Sequence, residues 1–336
     1  MPIATDLVLQ ERPDPEAVRR DGQALAEVVR EAAERYGTTL AIPLMDLRLE
    51  KADLVALLRK DVRDADTFQF DGPPSGLDLE RARASAPFLP LHRAHFDAIA
   101  AIAERPGLTP LGMAIGPFSL ATKLLADPIT AVGLAGAGLG PEDDPAVASI
   151  ERCLALAELA VARSLREQLA AGAAAVNVCE PAAGSVYVSP KQMAAGSPVF
   201  ARFVIEPLLR VRSLLEERGA ELLLHDCGEL ATPMLEALAA RVRPAVLSLG
   251  SSRCLWQDAA VVPGEVVLFG NLPSKHFYSD ATLPVERVRE MTRELVCRMR
   301  QTGHSFILGS ECDVLHVPGA EQTIREKVEA LLTEPA

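Results

Sequence analysis

Residues 173–179, AAAVNVC, and residues 220–225, AELLLH, are short apolar runs, and a longer amphipathic stretch near 190–219 separates them. A strand, a crossover helix and a second strand in that order make a parallel pair. The alternation continues in both directions. Upstream runs are 39–45 (TLAIPLM), 66–70 (DTFQF) and 109–115 (TPLGMAI), and downstream runs are 245–249 (AVLSL), 265–269 (EVVLF) and 305–309 (SFILG). Helical stretches near 49–60, 77–104, 117–126, 146–171, 229–241, 283–302 and 319–332 complete the pattern. Eight strands with crossover helices predict an α/β chain folded as a (β/α)8 TIM barrel, a fold of typically about 250 residues. DTFQF reads equally well as an irregular loop. Residues 15–36 repeat apolar positions at helical spacing and Gly37 stops them, which predicts an N-terminal helical extension over 1–37. The Pro/Gly/Asp segments 71–77 and 138–145 read as surface loops, and with no repeat or Gly/Ser linker the chain, 1–336, is expected to form one domain. The fallback, a doubly wound open sheet, lacks its glycine fingerprint after the first strand.

Composition limits the function. With 49% hydrophobic and 24% charged residues the 336-residue chain has the profile of a folded protein rather than a disordered or fibrous one. Its formal charge of −12, with no basic cluster, argues against nucleic acid as a partner. Charges such as Glu158, Arg163 and Arg166 interrupt every long apolar stretch, so no membrane span is expected. The N-terminus, MPIATDLVLQERPDPE, has no basic start followed by an apolar core and a small-residue cleavage site, and the expected location is cytoplasmic. In that compartment the six cysteines are expected to be thiols or metal ligands.

The sharpest chemical signal is Leu222-Leu223-Leu224-His225-Asp226-Cys227-Gly228, an apolar strand ending on a histidine and a cysteine one residue apart. Alternate side chains of an extended chain share a face, so His225 and Cys227 point the same way and suit one metal ion. Imidazole and thiolate are preferred zinc ligands. Cys312 follows the run 305–309 at another strand's C-terminal end, where a barrel gathers its active-site residues. A His-Cys-Cys set leaves one tetrahedral position of Zn2+ open, as catalytic zinc requires. Glu180 ends a third strand, where it fits the open position, a base beside it, or a cap for a following turn.

These residues resemble the uroporphyrinogen decarboxylase superfamily. Within it the chain is similar to zinc-dependent methyltransferases that move a methyl group from a corrinoid protein to a thiol such as coenzyme M. The matching pieces are, in order, Gly116-Pro117-Phe118-Ser119-Leu120-Ala121, the segment from Gly172 through Glu180 to Ser189-Pro190, His225-Asp226-Cys227-Gly228, and Phe269-Gly270-Asn271-Leu272 followed by Cys312. The resemblance implies a (β/α)8 barrel, zinc held by His225, Cys227 and Cys312, and a substrate thiol in the vacant coordination position. It further implies a methylcobalamin donor. The sequence has no Asp-x-His-x-x-Gly cobalamin signature, so that donor is expected on a separate corrinoid protein. Two carboxylates, Glu311 and Asp313, flank Cys312 where the resembled enzymes have a Gly-Cys pair, which leaves the thiol unspecified.

Other rim residues carry two readings each. Asp46 and Arg48 fit substrate contacts or a rim salt bridge, and Asn271 fits a substrate hydrogen bond or a turn with Gly270. Cys153, Cys179, Cys254 and Cys297 read as packing residues, Lys275 as a solvated charge, and His276, His304 and His316 as ordinary residues of the rim or its supporting loops. Porphyrinogen decarboxylation is the alternative enzyme reading. It calls for cationic anchors, whereas Pro43-Leu44-Met45-Asp46-Leu47-Arg48 supplies one arginine where the decarboxylase signature has two. A non-catalytic barrel that binds a corrinoid protein is the remaining alternative.

Overall fold

Two aspartates divide the N-terminal extension. In the computed structural model, which describes residues 4–60 and 64–333, Asp14 caps Pro15–Val18, and Asp21 accepts from the amides of Gln23 and Ala24 to start Gly22–Arg35. The single helix expected over 15–36 is therefore two, because an Asp side chain satisfies helix-start amides better than it continues a helix. A further helix, Thr5–Gln10, precedes them. Gly22–Arg35 buries Leu25, Val28, Val29 and Ala32 against Val8, Leu9, Ala98 and Ile102, which ties the extension to the barrel's flank.

Among the described residues seven strands follow: β1 (Leu40–Ala41), β2 (Thr109–Ile115), β3 (Ala175–Cys179), β4 (Glu221–Asp226), β5 (Val246–Leu249), β6 (Val267–Leu272) and β7 (Phe306–Ser310). All pairs are parallel and the order is sequential, β1 to β7. The first strand is shorter than the expected 39–45; Pro43 has no N–H for a ladder. The expected strand at 66–70 is not one. Asp64 accepts from the Asp66 amide and turns Ala65–Thr67 into a tight helical turn, and only Phe70 makes a bridge, to Leu125. Pro73 and Pro74 then remove two more donors, so β1 pairs directly with β2.

The sheet curls into a TIM-barrel-like half-barrel. Leu40 and Ile307, from its two edge strands, pack in one inner cluster with Leu111, Met113, Ala175, Cys179, Leu223 and Phe269, which a flat sheet would hold apart. The opposite face carries the larger core, where Pro145–Ala170, Glu206–Glu216, Val285–Thr302 and Glu321–Thr333 bury their apolar sides. Among the described residues no helix is long and apolar enough to cross a membrane.

A buried polar chain joins three of these layers. His92 Nδ1 is hydrogen-bonded to Asp53, and His92 Nε2 to Ser164 Oγ at 3.0 Å. Ser164 donates to Glu50 Oε1 at 3.0 Å and accepts from Gln168 Nε2 at 3.0 Å. Gln168 in turn accepts from the Met113 amide and donates to the Met113 carbonyl. Helices Leu49–Leu57, Pro90–Ala103 and Pro145–Ala170 are thereby fastened to β2.

Candidate metal centre

Strand register sets the geometry of the site. In the parallel ladders Cys179 lies opposite His225, and His225 opposite Ser248. The three residues therefore stand side by side near the C-terminal ends of β3, β4 and β5. His225 Nδ1 is hydrogen-bonded to Ser248 Oγ at 2.9 Å, which fixes the ring. The other nitrogen, Nε2, is buried and has no hydrogen-bond partner, although the residue is only 1% exposed. A buried polar atom left unpaired is costly unless something outside the chain meets it.

Cys227 and Cys312 supply what stands beside it. The ligand atoms of His225, Cys227 and Cys312 all lie within 4.8 Å of one another. Each cysteine is held by its backbone. Ser310 Oγ and Ser274 Oγ donate to the Cys312 carbonyl at 2.6 and 3.1 Å. Beside Cys227, Gly250 is tightly enclosed, since a Cβ there would sit 3.0 Å from the Cys227 carbonyl oxygen. A side chain at 250 would push the Cys227 backbone off its position.

The two thiols differ in acidity. The adjacent Cys227, against the opposing effect of burial and with help from His225, holds the Cys312 thiol below the usual thiol range. The adjacent Cys312, together with burial, raises the Cys227 thiol. Lys275 lies alongside, 3.7 Å from Glu311; burial works against its charge, but Cys227, Glu311 and Cys312 together raise its pKa. Glu311 is itself fixed by the Ser251 amide and hydroxyl at 3.2 and 2.8 Å. One imidazole and two sulfurs, with an unpaired nitrogen among them, fit a borderline divalent ion such as zinc with a coordination position left over.

The remaining residues expected at the site are placed as follows. Glu180 is buried, and its carboxylate accepts from the amides of Phe118 and Ser119, at the start of helix Pro117–Lys123. Gly116 makes room for it, because a Cβ there would lie 2.0 Å from Glu180 Oε2. This is the geometry of the capping alternative. Asp46 and Arg48 form a bidentate ion pair at 2.7 and 2.6 Å, the rim salt bridge of the two readings. Asn271 Nδ2 donates to the carbonyls of Gly250 and Arg253, both at 2.8 Å, which fixes the loop after β5 rather than offering those donors to a ligand.

One other expectation changes. His304 lies at the opposite end of the sheet, its Nε2 on the Val266 carbonyl before β6, because it precedes β7 rather than following it. Cys179 is packed as expected, but inside the curl of the sheet beside His225. Lys275 is exposed, as expected, and its ammonium lies near the thiols and Glu311. Ser248, Ser274 and Ser310 carried no sequence signal, since a serine one strand away looks like any other.

Two of these contacts predict measurable effects. A hydrogen-bonded partner that orients a metal-binding histidine typically accounts for about 10–100-fold in metal affinity, so Ser248→Ala should weaken zinc binding by that factor in a competition with a chromophoric chelator. Unchanged affinity would remove Ser248 from this role. Burial, opposed by the Ser119 hydrogen bonds and aided by Asp226, pushes Glu180 up to about 8. The folded chain then keeps a proton that the unfolded chain has released, so stability falls as pH rises through the window from the ordinary carboxylate range to about 8. The thermal midpoint of Glu180→Gln should fall less across that window than that of the wild type; parallel pH profiles would contradict the assignment.

Comparison with known proteins adds the following. The family model described as uroporphyrinogen decarboxylase (URO-D) matches residues 8–331. The solved structure of a methyltransferase from Methanosarcina mazei is similar to this chain, with a TM-score of 0.67 and 18% sequence identity, over 98% of this chain and 90% of that one. A search of curated proteins finds no match.

Proposed function

The chain belongs to the uroporphyrinogen decarboxylase family, and on that premise we propose that it is a zinc-dependent methyltransferase moving a methyl group between methylcobalamin on a separate corrinoid protein and a small-molecule thiol. The observation that carries this reading is the convergence of His225, Cys227 and Cys312 around an unpaired, buried Nε2. Zinc supplies one thing here when bound: it stabilises a substrate thiolate near neutral pH while leaving the sulfur nucleophilic, against a free-thiol pKa of about 8.5.

The chain's own residues do the rest. His225, Cys227 and Cys312 would hold the ion, and two thiolates would balance its two charges. Ser248 orients the imidazole, and Ser274 and Ser310 hold the backbone of Cys312. Glu180 acts as a positioning residue, in place of the proton transfer expected from sequence, and Asn271 keeps Gly250 against Cys227. Six free thiols suit a reducing compartment, and we place the reaction in the cytoplasm.

Decarboxylation of a polycarboxylate ring is less well supported, because Arg48, the rim arginine it would use, is already paired with Asp46. The test is an assay of zinc-loaded protein with methylcobalamin and a panel of thiols. Methylated thiol accompanied by loss of methylcobalamin is expected. Stoichiometric zinc with no thiol methylated would replace the enzyme reading with that of a binding protein.

A further inference from the structure

Beside the triad, on β2 and β3, a second group of soft donors faces the inside of the curled sheet. Met113 of β2 and Asn177 and Cys179 of β3 meet there: the Cys179 thiol donates to Met113 Sδ at 3.4 Å, and Asn177 Nδ2 lies 3.4 Å from both sulfurs. Met113 is 6% exposed, and Asn177 and Cys179 are fully buried. Asn177 Oδ1 has no hydrogen-bond partner. Their neighbours on the inner wall are Ile42, Leu111, Ala175, Leu223 and Phe269, none of which needs a carboxamide beside it.

We propose that Met113, Asn177 and Cys179 form a second metal site, separate from the triad, for a soft monovalent ion of the cuprous class. The donor types select softness, since thioether and thiolate together favour Cu(I) over zinc or any hard cation. The charge selects valence. One thiolate neutralises one positive charge, whereas a divalent ion would leave a net charge in an apolar interior. Binding exchanges the thiol proton for the ion, with no change of oxidation state.

Asn177 explains why the site is stable when empty. Its two ends are close to isosteric, and their orientation follows the available partners. The N–H end faces the two sulfurs and can equally donate to the thiolate that an ion would leave at Cys179. Met45 extends the sulfur lining toward the mouth. Its Sδ lies 4.0 Å from Cys312 Sγ, and it packs against the same inner cluster as Met113 and Cys179.

The probe is Cu(I), delivered anaerobically to the full-length, zinc-loaded chain against a chromophoric Cu(I) chelator, with both metals measured in the same sample. One Cu(I) per chain should be retained with zinc content unchanged, and its X-ray absorption should show two sulfur neighbours. Cys179→Ser should abolish retention and Met113→Leu should weaken it by about tenfold or more, while Cys153→Ser, Cys254→Ser and Cys297→Ser should leave it intact. The triple variant His225→Ala/Cys227→Ser/Cys312→Ser should still retain the ion, so this outcome is independent of the zinc reading. Copper uptake matched by zinc release, uptake unaffected by Cys179→Ser, or no retained copper would each overturn the proposal. The absorption measurement on the unaltered chain decides the case if a core variant does not fold.

Discussion

Purified protein is expected to carry about one zinc per chain, and each of His225→Ala, Cys227→Ser and Cys312→Ser to carry close to none. The size of the effect follows from the donor count. With three protein ligands a catalytic ion keeps one exchangeable position; with two it keeps half its sphere open, and ordinary chelators remove it. His225 is the most telling of the three, because its Nε2 has no other partner in the fold. Replacement of Cys153, Cys254 or Cys297 by Ser serves as the control and should leave zinc content unchanged, since these thiols lie outside the cluster. Elemental analysis settles the matter. Full occupancy in all three ligand variants would dispose of the metal centre and, with it, the proposed chemistry.

The second large effect is on stability, away from the site. His92→Ala removes the link between Asp53 and Ser164 and leaves the Asp53 and Glu50 carboxylates buried with one fewer partner. Burial already raises the pKa of Glu50, against the stabilising presence of His92, and Glu50 Oε2 is unpaired. Breaking a buried pair of this kind costs about 3–5 kcal/mol. Against a total stability of about 5–15 kcal/mol that is a large fraction, so the denaturant midpoint should drop sharply. Adding Glu50→Gln to His92→Ala should restore part of the loss, because a carboxamide has no charge to be stabilised. A His92→Ala midpoint close to wild type would show that the chain of hydrogen bonds contributes little.

The two predictions differ in how far they could be read from sequence. His225 and Cys227 were legible as a pair because side chains alternate along a strand, a property of three consecutive residues. Cys312 was legible because a residue just after a strand of a curled parallel sheet emerges at one common end. Nothing local marked His92, Asp53 and Ser164 as partners. They lie on three different helices, and each taken alone is an unremarkable polar residue in an amphipathic stretch. The run at 66–70 misled for the converse reason. Its alternating Phe residues have strand periodicity, but the Asp64 cap before it and the prolines after it give the backbone a cheaper arrangement.

Alternating apolar runs and amphipathic stretches, read along the chain, determined a parallel α/β architecture and put His225, Cys227 and Cys312 at strand ends. Periodicity and backbone direction are short-range properties, and no distant contact is needed to read them. Only the tertiary structure decided that Ser248 orients the imidazole, that Glu180 caps a helix, that Asn271 holds Gly250 in place, and that Met113 meets Cys179. Those pairings depend on strand register and on the packing of elements far apart in sequence, and hydrogen bonds of about 3 Å tolerate no error in either.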